Sequence, residues 1–207
     1  FFGSELVLGT GFSLSDTIMF NVQVPKIPDE DNPPRFYWQG RAYDFYQNGK
    51  WYTTNTNRAE FFPSSDTLVV SNTSGRPRFR FIFFTEDSPT SLLYTPPQPI
   101  WVSRTSSILL SNTEADNDVS AWFASPMLEA GESYQVEAAI GNPGTNELRI
   151  AGTDYPTWVT EKYLQVPEGF SPRVQELALQ VTEGAQTPYD QAVLLTQYLR
   201  REIEYSD

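Results

Sequence analysis

Hydrophobic and polar positions alternate with a period of two through much of the first 165 residues, and with a helical period after Pro167. Ile18, Phe20, Val22 and Val24 alternate with Thr17, Met19, Asn21 and Gln23. This predicts a half-buried strand stopped by Pro25. Pro28 to Pro34 reads as a polar, proline-rich loop. Phe36 to Tyr46 is aromatic-rich, and Lys50 to Thr54 carries Trp51 and Tyr52, with Asn48-Gly49 between the two runs. Asn-Gly tolerates the two positive φ angles of a type I′ turn, so the segment is expected to form a hairpin. Arg78, Arg80 and Ile82 fall on one face of a strand and Phe79, Phe81 and Phe83 on the other. Further strands are expected at 66–71, 101–104, 108–110, 120–123 and 134–140, with chain breaks at Pro96, Pro97 and Pro99 and a turn at Gly141-Asn-Pro-Gly144. About eight short strands separated by turn signals predict an antiparallel β-sandwich, immunoglobulin-like or jelly-roll.

The period then changes. Ser171-Pro172 supplies an N-cap and a first helical residue whose missing N–H costs nothing. Val174, Leu177, Ala178 and Val181 follow at helical spacing, and Gly184 can close the helix in a left-handed conformation. Thr187-Pro188-Tyr189-Asp190 is a second cap, followed by Ala192, Leu195, Leu199 and Ile203 on one face. The expected fold is therefore mainly β: a sandwich domain over 1–165, then two C-terminal α-helices over 166–207. Fully burying each of Val174, Leu177, Val181, Leu195, Leu199 and Ile203 is worth ~1.5–3 kcal/mol, so leaving them bare forfeits on the order of 10 kcal/mol. They are expected to pack on the sandwich, on each other or on another copy, and self-association through the helix pair is one expectation.

Composition narrows the chemistry. The chain has 207 residues, enough to bury about 70% of its unfolded surface without staples. It contains no cysteine and no histidine. Disulfides, zinc–thiolate sites, Cys–His pairs and Ser–His–Asp triads are thereby excluded within this sequence. A formal net charge of -12 offers no basic stripe for displacing counterions, so no nucleic-acid partner is expected. No run of 18 apolar residues is present to span a membrane. The chain opens at Phe1 without an initiator methionine and reads as a piece of something larger.

Candidate binding residues are few. Tyr37, Trp38, Tyr43, Tyr46, Trp51 and Tyr52 in the aromatic hairpin could stack on sugar rings or grip a polypeptide, giving a cell-wall or protein ligand. Against this, aromatic residues in a β domain ordinarily fill the core or pair across strands. Gly40 within this run marks a bulge or a close approach by another chain. Asp116 and Asp118, in Glu114-Ala-Asp-Asn-Asp118, place alternate acidic oxygens for a calcium ion, but the spacing lacks the EF-hand glycine and distal glutamate. A solvated turn is the better reading there and at Asp29-Glu30-Asp31. Arg76, Arg78 and Arg80, with Arg104 and Arg149, could pair with acids of a neighbouring domain, but a surface pair is worth under ~1 kcal/mol, so the cluster is read as a solvent-exposed strand face. Asn72-Thr73-Ser74 has the form of a glycosylation sequon and reads as a polar turn. No metal and no cofactor is expected.

Tyr163-Leu-Gln-Val-Pro167, the helix from Pro172, Thr187-Pro-Tyr-Asp190, Tyr198-Leu-Arg200 and Tyr205-Ser206 together resemble the approach to the catalytic core in bacterial membrane-anchored transglutaminase-like proteins. Leu14-Ser-Asp16 before the Phe20 to Val24 strand, and Arg41-Ala-Tyr-Asp44 with Gly49-Lys-Trp51, match upstream pieces of the same family. The matches spread over the whole chain, and the last 45 residues carry the strongest.

The resemblance implies a parent with transmembrane helices outside this chain, an extracytoplasmic β domain and a papain-like core. The catalytic Cys of that core lies a few dozen residues past the tyrosine matched by Tyr205, with His and Asp beyond. No position here matches a catalytic residue. The expected role is a non-catalytic, extracytoplasmic domain that positions the catalytic core, its main partner being the rest of the parent. The alternative is an aromatic-faced binding module for cell-wall glycan or protein. A carboxylate-based glycosidase is the weakest reading, because no acid pair stands in a recognisable context.

Overall fold

The computed structural model describes residues 3–7, 16–27, 34–55, 57–70, 75–86, 89–113 and 116–203. The strands are β1 (Glu5–Val7), β2 (Phe20–Gln23), β3 (Phe45–Gln47), β4 (Lys50–Tyr52), β5 (Arg58–Phe61) and β6 (Arg78–Thr85). They continue with β7 (Thr90–Leu93), β8 (Pro99–Val102), β9 (Ser106–Thr113), β10 (Asp116–Leu128) and β11 (Ser133–Ala139). The helices α1 (Thr145–Ile150), α2 (Thr157–Tyr163), α3 (Pro172–Val181) and α4 (Pro188–Glu202) follow. The protein is thus mainly β, with its helices at the C-terminal end. Asn72-Thr73-Ser74, Asp29-Glu30-Asp31, Leu14-Ser15 and Tyr205-Ser206 lie outside the described residues, as does most of the loop at 28–34.

The chain divides into two compact units. The first comprises Phe1–Leu6, Ser15–Asp44 and Trp51–Asn142; the second comprises Val7–Leu14, Phe45–Lys50 and Pro143–Asp207. In the first unit two four-stranded sheets, ordered β5-β9-β10-β7 and β2-β6-β11-β8, form a sandwich. Alternation along β6 sends Phe81 and Phe83 fully inward while Arg78 and Arg80 stay exposed, as the period-two pattern requires. Phe81, Phe83, Val102, Tyr134 and Val136 from one sheet meet Phe61, Leu93, Ile108, Trp122 and Leu128 from the other in a single core. Aromatic pairs dominate it: Phe61 meets Trp122 edge-on at 4.8 Å, and Phe83 stacks on Tyr134 at 5.1 Å. The Tyr134 hydroxyl donates to the Tyr94 carbonyl at 2.9 Å, which satisfies its one buried polar group.

A third sheet has the order β1-β4-β3. Its β3–β4 hairpin turns at Asn48 (φ 50°) and Gly49 (φ 78°), the two positive angles expected of the Asn-Gly pair. Beyond it, the segment Phe36 to Asp44 is not a strand. Its ladder pairing with the sandwich is limited to isolated bridges, Gln39 to Thr95 and Arg41 to Ala121. Trp38 is consequently delivered to the core rather than to a sheet face.

Several elements differ from the sequence expectation. Residues 66–70 form no strand: Leu68 packs on the core and donates one backbone bond to Ile100 (2.9 Å), while Val69 is exposed. The preceding turn, where the Asp66 carboxylate accepts from the Phe62 N–H at 2.6 Å, takes the chain off the sheet edge. β5 and β7 were not foreseen, because Arg-Ala-Glu-Phe and Thr-Ser-Leu-Leu carry little strand propensity. They exist as edge strands recruited by β9 and β10. Ile18 and Val24, expected to be half-buried, flank β2 and are exposed.

In the second unit the last strand of the chain has already ended, and residues 145–163, expected to be β, hold α1 and α2. The Glu147 carboxylate accepts from the Gly144 N–H at 3.3 Å at the start of α1. α3 and α4 begin at the expected caps. Thr187 Oγ1 accepts from the Asp190 N–H at 3.1 Å. Gly184 (φ 82°) supplies the left-handed residue after α3.

Candidate functional site

The aromatic candidates fall into different environments. Trp38 lies edge-on to Phe81 (5.5 Å) and Phe83 (5.3 Å) and beside Phe36 (6.2 Å), so it serves the core. Its neighbour Tyr37 is 62% exposed. Tyr43 is half-buried and donates to the Gly3 carbonyl at 3.2 Å. Burial pushes its phenol pKa up, against an opposing pull from the Arg41 charge. Trp51 is exposed, and Tyr52 beside it is half-buried. Tyr46, in the second unit, is half-buried with its ring 6.4 Å from that of Phe170. Tyr37 and Trp51 are therefore the exposed members of the set.

The Arg41 to Asp44 segment acts as a structural knot. Arg41 Nη1 donates to the Gly3 carbonyl at 2.8 Å. The Ala42 N–H donates to Ser120 O at 2.8 Å, and the Thr53 hydroxyl donates to Ala42 O at 2.8 Å. The buried Asp44 carboxylate accepts both the N–H and the hydroxyl of Thr54 at 2.7 Å. Each bond replaces a water that burial removes, which is why a carboxylate is tolerated there. Gly40 permits the close approach its position implied, and the neighbour is this chain's own. A Cβ there would stand 3.2 Å from the Tyr94 ring and 3.3 Å from Leu92.

The basic cluster is paired on the sandwich face. Arg80 lies 2.9 Å and Arg78 3.9 Å from the Glu137 carboxylate, and Arg80 also covers the Trp101 ring. Arg76 bonds the Gln98 side chain. Arg104 meets Glu132 at 2.8 Å, and Arg149 meets Asp190 at 2.9 Å. Asp118 lies 3.4 Å from the Ser111 hydroxyl, and the side chain of Asp116 is outside the described residues. Among the described residues no group of three metal-ligating side chains converges.

The second unit presents the more unusual surface. None of the four helices buries a residue completely. Val174, Leu177, Leu179, Leu199 and Ile203 are exposed, and so are Leu164 and Val166 before α3. Val181 and Leu195 are half-buried. Leu177, Val181, Leu194 and Tyr198 line a cleft of about 350 Å3 between α3 and α4. The apolar stripe that the helical period predicted is present, with Val174, Leu177, Leu199 and Ile203 of its six residues exposed.

A sandwich joined to a helical unit with an open apolar face is the class of protein defined here. Two solved structures share the fold, both of the periplasmic domain of TgpA from Pseudomonas aeruginosa. One matches with a TM-score of 0.50 and 16% identity, covering 90% of this chain and 56% of that one. The other, bound to ethylmercury, matches with a TM-score of 0.52 and 16% identity, covering 97% of this chain and 62% of that one. The chain thus spans less than two thirds of the structures it resembles. No family model matches the sequence, and no curated protein matches it. Among the described residues no helix is long and apolar enough to cross a membrane.

Proposed function

We propose that this chain is the non-catalytic, extracytoplasmic part of a membrane-anchored transglutaminase-like protein, and that it positions the catalytic core. The observation that carries this reading is the α3–α4 pair, whose apolar face leaves Val174, Leu177, Leu199 and Ile203 exposed. In water those side chains forfeit the burial free energy that an amphipathic helix is built to collect. The remainder of a papain-like core is the surface that would collect it. The resemblance of Tyr163 to Pro167, Thr187 to Asp190 and Tyr198 to Arg200 to the approach of such a core supports the same role. The likeness to a periplasmic domain agrees with an extracytoplasmic compartment.

The sequence holds no cysteine or histidine, so the thiolate attack on an amide falls to residues of the parent outside it. Reading the parent frame for about a hundred codons past Asp207 tests the proposal. A Cys in a Gly-Tyr-Cys-like context followed by His and Asp is expected, and its absence would overturn the reading. In an amine-incorporation assay the chain alone should show no turnover, whereas the full ectodomain should.

A further inference from the structure

The outer face of the β5-β9-β10-β7 sheet carries Arg58, and Arg41, from the segment bridged to β10, reaches the same face; among the described residues neither forms an ion pair. Trp122 points into the core, so Phe123 beside it points out, where Ser107 of β9 is its register partner. The guanidinium carbons of Arg41 and Arg58 lie 5.5 Å and 5.0 Å from the centre of the Phe123 ring. Among the described residues Arg58 Nη1 reaches only the Ser107 hydroxyl, at 3.4 Å. Arg41 spends Nη1 on the Gly3 carbonyl, and its Nε is buried without a hydrogen-bond partner. Among the described residues neither arginine has a carboxylate within ion-pair distance, although Arg78, Arg80, Arg104, Arg149 and Arg201 all do.

With 26 acids against 14 bases, this chain does not lack carboxylates to pair with them. Two like charges set over one ring repel each other. Burial lowers the pKa of Arg41; Tyr43 opposes it, and the Arg58 charge adds a smaller lowering. An anion between the two would relieve that repulsion.

A cleft of about 350 Å3 opens beside the same ring. Gly3 and Phe123 belong to both features, and Met19, Thr90, Ser91, Leu92 and Tyr94 complete the walls. The walls carry no charge of their own. We propose that Arg41, Phe123 and Arg58 bind a carboxylate carried on an apolar group, the carboxylate between the guanidinium groups and the apolar part in the adjoining cleft. A carboxylate has two oxygens, and each guanidinium retains N–H donors for one of them. A phosphate dianion would ask for more donors than Arg41 has left after bonding Gly3.

The test titrates the whole chain with N-acetylphenylalanine and with N-acetylphenylalaninamide, which differ only in the carboxylate. Arginine Nε–Hε resonances report binding, and thermal unfolding checks that each variant folds. Saturable shifts of the Arg41 and Arg58 signals with the acid, and none with the amide, are expected. Arg58 is exposed on an edge strand, so Arg58→Gln should fold normally and bind at least about tenfold more weakly. Phe123→Leu, which keeps both charges, should weaken binding several-fold.

A tetrapeptide ending in phenylalanine distinguishes sources of the same chemistry. Tighter binding than the single amino acid assigns a peptide terminus, and equal binding assigns a small free acid; either sustains the site. Equal binding of acid and amide, full retention by Arg58→Gln, or displacement of the acid by inorganic phosphate at equal concentration would each overturn the proposal.

Discussion

Tyr37 and Trp38 are adjacent in sequence and opposite in environment. Trp38 meets Phe81 and Phe83 edge-on, whereas the Tyr37 ring stands in solvent. Trp38→Ala should therefore cost ~3 kcal/mol in urea unfolding, while Tyr37→Ala should stay within ~0.5 kcal/mol. Equal small losses would remove Trp38 from the core. Tyr134 offers a test by pH. Burial raises its phenol pKa far above the ordinary value of 10.0. Its contribution is complete below pH 10 and is lost as pH rises above that, because only the unfolded chain then releases the proton. Alkaline unfolding followed by circular dichroism should begin above pH 10, and Tyr134→Phe should flatten that slope.

At the scale of the element, α4 depends on its cap. Thr187 Oγ1 holds the Asp190 N–H, and the Asp190 carboxylate accepts from both the Thr187 hydroxyl (2.7 Å) and Arg149 (2.9 Å). Thr187→Ala should cost about 1 kcal/mol, read as faster amide hydrogen exchange in the first turn of α4. The Thr187 hydroxyl and then Arg149 hold the Asp190 pKa below its ordinary 3.8. This stabilisation is present above that pH and is lost as pH falls through the lowered value. Acid titration of helical signal should show it, and Asp190→Asn should abolish that component. α1 and α4 are thereby linked by a charge pair that neither helix's own period encodes.

For the whole molecule, the uncovered helical face is the dominant feature. Exposed side chains contribute little to the stability of the isolated chain. Val174→Ser with Leu177→Ser should thus leave the unfolding midpoint nearly unchanged while sharply lowering binding of anilinonaphthalene sulfonate. In the full ectodomain the same pair should destabilise by several kcal/mol, because there the face is proposed to be covered. Light scattering over a concentration series separates this from self-association: a concentration-dependent dimer abolished by the pair would assign the face to a second copy.

The sequence by itself determined the features set by local chemistry. Asn48-Gly49 admits a tight turn because both angles are positive, Pro172 starts a helix because its missing N–H costs nothing there, Thr187 because its hydroxyl satisfies a first-turn donor, and Phe79 to Phe83 alternates because a strand does. Tertiary structure alone decided the rest. Arg58–Phe61 and Thr90–Leu93 became strands because β9 and β10 offered open edges, not because their side chains favour extension. Trp38, rather than Tyr37, entered the core because the isolated bridges at Gln39 and Arg41 fix how the segment crosses the sandwich. Arg41, Arg58 and Phe123 are far apart in the chain, so no spacing betrays them. They meet because β5 and β10 share one sheet and the Arg41 to Ala121 bridge lays the preceding segment beside β10, and a sheet's face is a property of its register rather than of any one strand.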